Sequence, residues 1–191
     1  MNTTLPDAGA APAGQPARAF PTQETNLARI LSDPQYRKTF HAQLKRYNPV
    51  IVALYRIGLL PLIGAGRTIM LLTTRGNKSG KLRTTPIGYF KIGGDIYLFS
   101  AWGKGTGWYK NIMAHPGEVW IQIGMRKRRV QAQTLEDPVE IRRVLEQLIT
   151  ESPSQAGHLL GWDAVRDRLD HADFSTIINY VLIVKFIDVE K

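Results

Sequence analysis

The sequence predicts an α+β fold, a split β-barrel of about six mainly antiparallel strands with peripheral helices. The first observation behind this prediction is a series of short segments, rich in β-branched and aromatic residues, that glycine turns separate between residues 67 and 135. The second is a nearly continuous apolar run at residues 180–188. With 191 residues, 43% of them hydrophobic, the chain can bury a sizeable core, and we expect a single domain over residues 26–191.

The N-terminal part is predicted to be a tail followed by helices. Residues 1–25 contain many Pro, Ala and Gly and no apolar periodicity, which favours a disordered tail. Residues 26–64 are expected to be helical, because Asp33 and Asn48 each precede a proline. A capping residue followed by proline is a helix start signal, so two successive helices are predicted.

The second of these helices, residues 49–63, is apolar and has basic neighbours. It is shorter than the roughly 20 residues that a membrane span needs. We expect it to pack on the barrel or at a contact between subunits. A peripheral position on a membrane surface is the alternative, since basic residues flank it.

Five strands are predicted between residues 67 and 135, and they form two hairpins and one further strand. Their expected positions are residues 68–74, 83–92, 95–101, 119–123 and 127–134. A short helix is expected over residues 108–114 and a helical segment over residues 137–179, beginning at the capping residue Asp137. Residues 180–188 are the predicted last strand.

The composition excludes several kinds of site. The chain has no cysteine, which excludes disulfides, a thiol nucleophile and cysteine-bound metal. The four histidines lack the spacing of a metal site, so no metal is expected. Residues 67–129 contain twelve Lys or Arg and two Asp or Glu, a net charge of +10, so an anionic partner is expected there. Nucleic acid is disfavoured as that partner, because the cations cluster at glycine turns.

The turn at residues 75–86 is the most informative stretch. Two glycines allow a tight turn with exposed N–H groups, and Arg75, Lys78, Lys81, Arg83 and Ser79 supply donors. From the residues alone, an anion site and a solvated basic hairpin are equally good interpretations. A second basic stretch, residues 126–129, is interpreted as a solvated hairpin tip, with an acidic lipid or the coenzyme tail as the alternative contact.

Three motifs occur in a fixed order. They read T-T-R-G-N-K-S-G-K-L-R-T-T-P at residues 73–86, S-A-W-G-K at residues 100–104 and G-W-Y-K-N-I-x-A-x-P at residues 107–116. Together they resemble the deazaflavin-dependent nitroreductase family, which is also described as quinone reductases and has a split β-barrel of the flavin-reductase kind. The resemblance covers residues 46–135 and is weaker from residue 137 onward.

The resemblance implies a deazaflavin coenzyme (F-420 type) and a set of residues that hold it. Lys78, Ser79 and Arg83 would bind its phosphate and acidic tail, and Thr85 and Pro86 would line the path of the tail. The remaining implied contacts form a second wall and the surroundings of the ring: Ser100, Ala101, Lys104, Trp108, Tyr109 and Asn111. The net charge of +10 agrees with such an anionic coenzyme, and FMN is the alternative cofactor.

The implied activity is hydride transfer from the reduced coenzyme to a quinone-like, nitro or other electron-poor small molecule, in the cytoplasm or at the inner face of the cell membrane. Relatives have a tyrosine-rich segment near the substrate, whereas residues 157–175 contain no tyrosine here. His171 is the candidate proton donor, and Tyr180 begins the last strand. A non-catalytic barrel that sequesters a flavin, haem or lipid is the competing function, and the oligomeric state is left open.

Overall fold

The computed structural model describes residues 17–189. Its main feature is an antiparallel sheet of seven strands in the order β3-β2-β6-β7-β9-β5-β4. These strands are β2 (Ile69–Arg75), β3 (Leu82–Gly88), β4 (Phe90–Ile92), β5 (Asp95–Ser100), β6 (Val119–Ile123), β7 (Arg126–Leu135) and β9 (Leu182–Asp188). The edge strands β3 and β4 are joined by Tyr89 alone, so the sheet curls until its two edges approach each other. The predicted split-barrel, α+β fold is confirmed.

The segment predicted as one strand at residues 83–92 is two strands. At Tyr89 the chain stops pairing with β2 and starts pairing with β5 on the opposite edge of the sheet. The Tyr89 side chain is buried, and its hydroxyl donates a hydrogen bond to the Gly66 carbonyl at 2.8 Å. This break accounts for seven strands where about six were expected.

Side chains from alternate strand positions fill the interior of the barrel. Met70, Leu72, Leu98, Ile121 and Val184 are at most 1% exposed. Successive side chains of a strand point to opposite faces, which is why a period-2 pattern indicated the strands at residues 119–123 and 127–134, whereas the last strand was predicted from an apolar run. Burying each such side chain stabilises the fold by roughly 1.5–3 kcal/mol.

Helices cover one outer side of the sheet. They are α1 (Asn26–Ser32), α5 (Pro138–Glu151), α6 (Pro153–Leu160) and α7 (Ser175–Tyr180). In α5, Ile141, Val144, Leu145 and Leu148 repeat at helical spacing and are buried in a second core. The helical segment expected over residues 137–179 is interrupted at residues 164–166, which form a turn in which the Asp163 carboxylate accepts hydrogen bonds from the backbone.

The expectation of two N-terminal helices that meet at Pro49 is wrong. A single helix, α2 (Pro34–Arg56), runs through Pro49, and α3 (Leu59–Leu62) follows it. The Asp33 side chain caps α2 as predicted, accepting hydrogen bonds from two backbone N–H groups. Pro49 removes the helical bond to the Lys45 carbonyl, a loss that water can offset because Lys45 lies on an exposed stretch.

The expected N-terminal tail differs from the structure over residues 17–25, while residues 1–16 lie outside the described part. Strand β1 (Arg18–Ala19) pairs in parallel with β8 (Ala172–Asp173). Phe20 is 1% exposed, and its ring lies 5.2 Å from that of Trp162. One aromatic side chain thus anchors a segment that lacks any periodic pattern.

None of the helices described is long and apolar enough to cross a membrane. Residues 17–189 also contain no group of three or more His, Cys, Asp or Glu side chains that could hold a metal ion.

Candidate cofactor site

The basic turn between β2 and β3 has a fixed shape. The Gly76 N–H donates to the Lys81 carbonyl at 2.9 Å, and the Gly80 N–H donates to the Gly76 carbonyl at 2.8 Å. Gly80 has a φ of 62°, and a Cβ at Gly76 would lie 2.7 Å from Ser79 Oγ. The left-handed backbone therefore favours glycine at position 80, and a side chain at position 76 would require the Ser79 hydroxyl to move.

The cations of this turn have two different roles. Arg75 stabilises the turn itself, because its Nε lies 2.6 Å from Glu118 Oε2 and its Nη1 donates to the Gly80 carbonyl. Lys78, Lys81 and Arg83 are exposed, and none of them forms an ion pair with a carboxylate of residues 17–189. These three side chains are available to an anion.

Helix α4 (Gly107–Ala114) holds the turn from one side. The Asn77 N–H donates to Asn111 Oδ1 at 2.9 Å, and Asn111 Nδ2 donates to Thr74 Oγ1 at 3.1 Å. Both polar ends of Asn111 are thus used within the protein. The structure places Asn111 at the base of the turn, where it positions the backbone of Asn77.

Strand β3 continues the site away from the turn. Thr85 and Pro86 are half-buried and pair with Leu72 and Leu71 of β2. Thr84 was not among the predicted site residues, yet its hydroxyl accepts a hydrogen bond from Arg56 Nη2 at 3.2 Å.

Arg56 and Thr84 lie in a groove of about 460 Å³ between α2 and β3. Lys45 is a further cation of this groove. The sequence sets Arg56 apart only because this residue interrupts an apolar run.

The predicted second wall is buried rather than open. Ser100 and Ala101 are 4% and 3% exposed, and the Ala101 carbonyl accepts a hydrogen bond from Arg37 Nη2 at 2.8 Å. Lys104, in contrast, is exposed, and its Nζ lies 2.6 Å from Glu136 Oε1. This hydrogen bond raises the pKa of Lys104 and lowers the pKa of Glu136.

The Lys104–Glu136 pair borders a cavity of about 410 Å³. Five apolar residues line it, Leu135, Ile141, Ile178, Val181 and Leu182, together with the polar residues Thr134, Asn179 and Tyr180. Tyr180 is largely exposed at this cavity.

The structure separates the aromatic side chains of residues 102–109. Tyr109 is buried in the barrel, with its hydroxyl 3.1 Å from Thr134 Oγ1, and the half-buried Trp108 meets its ring edge-to-face at 5.9 Å. Trp102 lies on the other side, stacked on Phe40 of α2 with the ring centroids 6.0 Å apart. Only Trp108 and Tyr109 therefore lie on the helix that holds the basic turn.

His171 is not brought to this site. It lies at the end of a short 3₁₀ helix, and its Nε2 is 3.8 Å from Asp170 Oδ2. It lines neither the cavity beside Lys104 nor the groove at Thr84. The structure therefore gives His171 no position from which it could supply a proton at either place.

The donors present fit an elongated anionic coenzyme. A turn of fixed shape presents three cations that have no carboxylate partner among residues 17–189, and the only acid of that range in contact with it, Glu118, is paired with Arg75. The adjoining groove adds Lys45 and Arg56 without any carboxylate. Phosphate and carboxylate groups are the ligands for which such a donor set is suited.

The chain is similar to several solved structures. Among solved structures, an F420-H2 dependent reductase (FDR-A) is 24% identical, with a TM-score of 0.42 over 64% of this chain and 95% of that chain. The heme storage protein HutZ of Vibrio cholerae is 12% identical, with a TM-score of 0.43 over 69% of this chain and 90% of that chain. The family assignment depends on neither structure.

A family model described as F420H(2)-dependent quinone reductase matches residues 59–158, more than half of the chain. The matched range contains the basic turn, helix α4 and the cavity residue Lys104. This chain belongs to the F420H(2)-dependent quinone reductase family and is an oxidoreductase that uses the deazaflavin coenzyme.

Proposed function

We propose that the basic turn binds the phosphate and acidic tail of the deazaflavin coenzyme, and that the cavity beside Lys104 receives a quinone-like acceptor. The observation that carries the proposal is the preformed turn, in which Lys78, Lys81 and Arg83 have no carboxylate partner among residues 17–189. Charge-assisted hydrogen bonds from such donors are stronger than neutral ones.

Each part of this site has a distinct task. Lys78, Ser79 and Arg83 bind the phosphate, Asn111 keeps the turn in place, and Trp108 offers a flat surface beside the ring. Thr85 and Pro86 line the strand along which the tail extends. The coenzyme, when bound, supplies the hydride, and the protein supplies position and electrostatics.

Helix α4 connects the two parts of the proposed site. Its Asn111 contacts the basic turn, while the Tyr109 hydroxyl contacts Thr134, which lines the cavity. The apolar side chains of the lining suit a planar ring, and the Lys104 ammonium can donate a hydrogen bond to a carbonyl oxygen. A lysine is protonated at neutral pH, and Glu136 raises the pKa of Lys104 further.

A titration of coenzyme fluorescence tests the first half of the proposal. Lys78→Ala combined with Arg83→Ala removes two charged donors, each worth about 1.5–3 kcal/mol, so we expect at least about 100-fold weaker binding. Lys91→Ala combined with Arg143→Ala removes two exposed cations elsewhere and should change the Kd less than about twofold. Unchanged binding in the first variant, or a preference for FMN in the same titration, would contradict the proposal.

Steady-state kinetics with a quinone and a nitroaromatic test the second half. We expect Lys104→Ala to raise the quinone KM about tenfold, the loss of one charged hydrogen bond, with the coenzyme Kd unchanged. Lys110→Ala, which removes an exposed cation of α4, is the matched control. A weaker coenzyme Kd in Lys104→Ala would instead assign Lys104 to the coenzyme. Reduction of the nitroaromatic alone would exclude the quinone-like acceptor.

A further inference from the structure

A cavity of about 660 Å³ lies between α1, the first turn of α2 and α7. It is larger than the cavity beside Lys104, with which it shares only Tyr180, and it shares no lining residue with the groove at Thr84. Small-molecule sites have volumes of roughly 300–1,000 Å³. This α1–α7 cavity therefore has the size of a binding site and is separate from both parts of the site proposed above.

One wall of the α1–α7 cavity, formed by residues 21–32, is held in place by hydrogen bonds. The Thr22 N–H donates to the Leu160 carbonyl at 2.8 Å, which ties this segment to the end of α6. Thr25 caps α1, because its hydroxyl accepts a hydrogen bond from the Ala28 N–H at 3.1 Å. The wall is thus formed without a ligand.

Arg37 is the one charged residue among the described residues that line the α1–α7 cavity. Its Nη2 donates to the Ala101 carbonyl at 2.8 Å, while its Nε is buried and has no hydrogen-bond partner within residues 17–189. The nearest acid in sequence, Asp33, uses its carboxylate to cap α2. A buried donor without an acceptor is unfavourable, so Arg37 favours a ligand that brings an acceptor.

The other lining residues of the cavity are uncharged. They include the apolar Pro21, Ala28 and Leu31 and the polar Gln23, Thr176 and Tyr180. One guanidinium beside apolar side chains matches a ligand with a single negative charge and an apolar body. A carboxylate suits this cation best, because it is planar and accepts parallel hydrogen bonds from a guanidinium.

We propose that the α1–α7 cavity binds a small organic monocarboxylate. The carboxylate accepts hydrogen bonds from Arg37, and the apolar part of the ligand packs on Ala28 and Leu31. An anion with two or more charges fits less well, because the described lining supplies one cation and an uncompensated buried charge is costly. The inference rests neither on the coenzyme nor on the acceptor.

Titrations with benzoate and with benzamide, its uncharged isostere, test the proposal. The full chain is titrated with each compound, and amide NMR spectra locate the binding. We expect benzoate to bind at least about tenfold more tightly than benzamide, with shifts at Ala28, Leu31 and Thr176. Equal affinity for the two compounds, or no binding of benzoate, would overturn the proposal.

Charge variants identify the cation that binds benzoate. Arg37→Gln should weaken benzoate binding at least about tenfold, the loss of one charged hydrogen bond. Lys38→Gln, which removes the neighbouring exposed cation of α2, should change the Kd less than about twofold. Lys104→Ala should also leave benzoate binding unchanged. Binding that is lost in Lys104→Ala and kept in Arg37→Gln would assign benzoate to the other cavity and overturn the proposal.

Ala28→Leu tests the cavity without changing Arg37. The larger side chain occupies part of the cavity and should prevent benzoate binding, whereas Ala42→Leu, at an exposed position of α2, should not. Melting temperatures show that each variant is folded. The coenzyme Kd of Arg37→Gln should equal that of the wild type. Weaker coenzyme binding in this variant would assign Arg37 to the acidic tail of the coenzyme and overturn the proposal.

Discussion

The molecule has two basic hairpin turns, and they differ in what surrounds the cations. The β2–β3 turn carries Lys78, Lys81 and Arg83, and the β6–β7 turn is followed by Arg126 and Lys127. The first turn is held by hydrogen bonds within itself and to α4. The second is a tight two-residue turn whose Met125 is exposed beside α3.

This difference shows that charge alone does not determine the partner of a basic turn. A turn with a fixed backbone presents its donors in one arrangement, which suits a small anion with defined geometry. A turn with cations on flexible side chains next to apolar groups suits an extended surface with many equivalent anions. Asn111 is the residue that fixes the first turn, and Tyr55 is the residue that fixes the position of the second.

The largest expected effect on stability comes from replacing Tyr55, the buried residue that holds the β6–β7 turn. Tyr55 is completely buried, and its hydroxyl donates to the Ile69 carbonyl and accepts from the Gly124 N–H. Tyr55→Ala should therefore lower the free energy of unfolding by about 4 kcal/mol. Urea unfolding measures this loss. Tyr47→Ala, at an exposed position of α2, should cost less than about 0.5 kcal/mol, and similar losses in both variants would refute the anchoring role.

Replacing Asn111, which holds the β2–β3 turn, should reduce stability less than replacing Tyr55 and should weaken coenzyme binding more. Asn111→Ala removes two hydrogen bonds and should cost about 2 kcal/mol in the free energy of unfolding. The coenzyme should bind about tenfold more weakly, because the backbone at Asn77 is no longer held.

Asn111→Asp sharpens this test. It keeps an acceptor for the Asn77 N–H but adds a negative charge beside the turn. Stability should therefore recover while coenzyme binding stays weak. Wild-type coenzyme affinity in both Asn111 variants would mean that the turn keeps its shape without α4.

A matched pair of glycine substitutions compares the two turns directly. Gly80 and Gly124 have φ values of 62° and 58°, and a Cβ would meet no atom within 4 Å at either position. Alanine at each should thus cost about 1–2 kcal/mol through the left-handed backbone alone. Gly80→Ala should weaken coenzyme binding, and Gly124→Ala should leave it unchanged. Equal weakening in both variants would mean that the shape of the first turn is not what binds the coenzyme.

Local patterns in the sequence predicted most strands, because a half-buried antiparallel strand needs alternating side chains whatever it pairs with. They did not predict the break at Tyr89, since that break depends on two distant edges meeting. They also placed a helix start at Asn48, because the exposure that lets α2 continue through Pro49 is a property of the folded chain. Phe20 was missed for the same reason, as its partner Trp162 is far away in sequence.

The candidate site shows the same difference between local patterns, which the sequence reveals, and contacts between distant residues, which it does not. The donors of the basic turn are local, so their residue types and the two glycines were sufficient to indicate an anion site as one of two interpretations. The contacts that complete the site join distant residues: Arg56 with Thr84, Lys104 with Glu136, and Asn111 with Asn77. Sequence reasoning placed Asn111 near the coenzyme ring, whereas only the fold shows that both of its polar ends hold the turn.

The smallest expected effect concerns the carboxylate in contact with the first turn. Glu118 pairs with Arg75, both side chains are more than one third exposed, and such pairs contribute about 0.5 kcal/mol. Glu118→Gln should leave the turn intact, because Arg75 still donates to the Gly80 carbonyl. Coenzyme binding should tighten about twofold at low salt and return to the wild-type value at high salt, since a screened negative charge has been removed.

Glu146→Gln, which breaks the similarly exposed pair with Arg142, is the control and should leave the coenzyme Kd unchanged. A tenfold loss of coenzyme affinity in Glu118→Gln would mean that the ion pair, and not the backbone with Asn111, sets the shape of the first turn. The two turns would then differ in how their cations are paired with carboxylates.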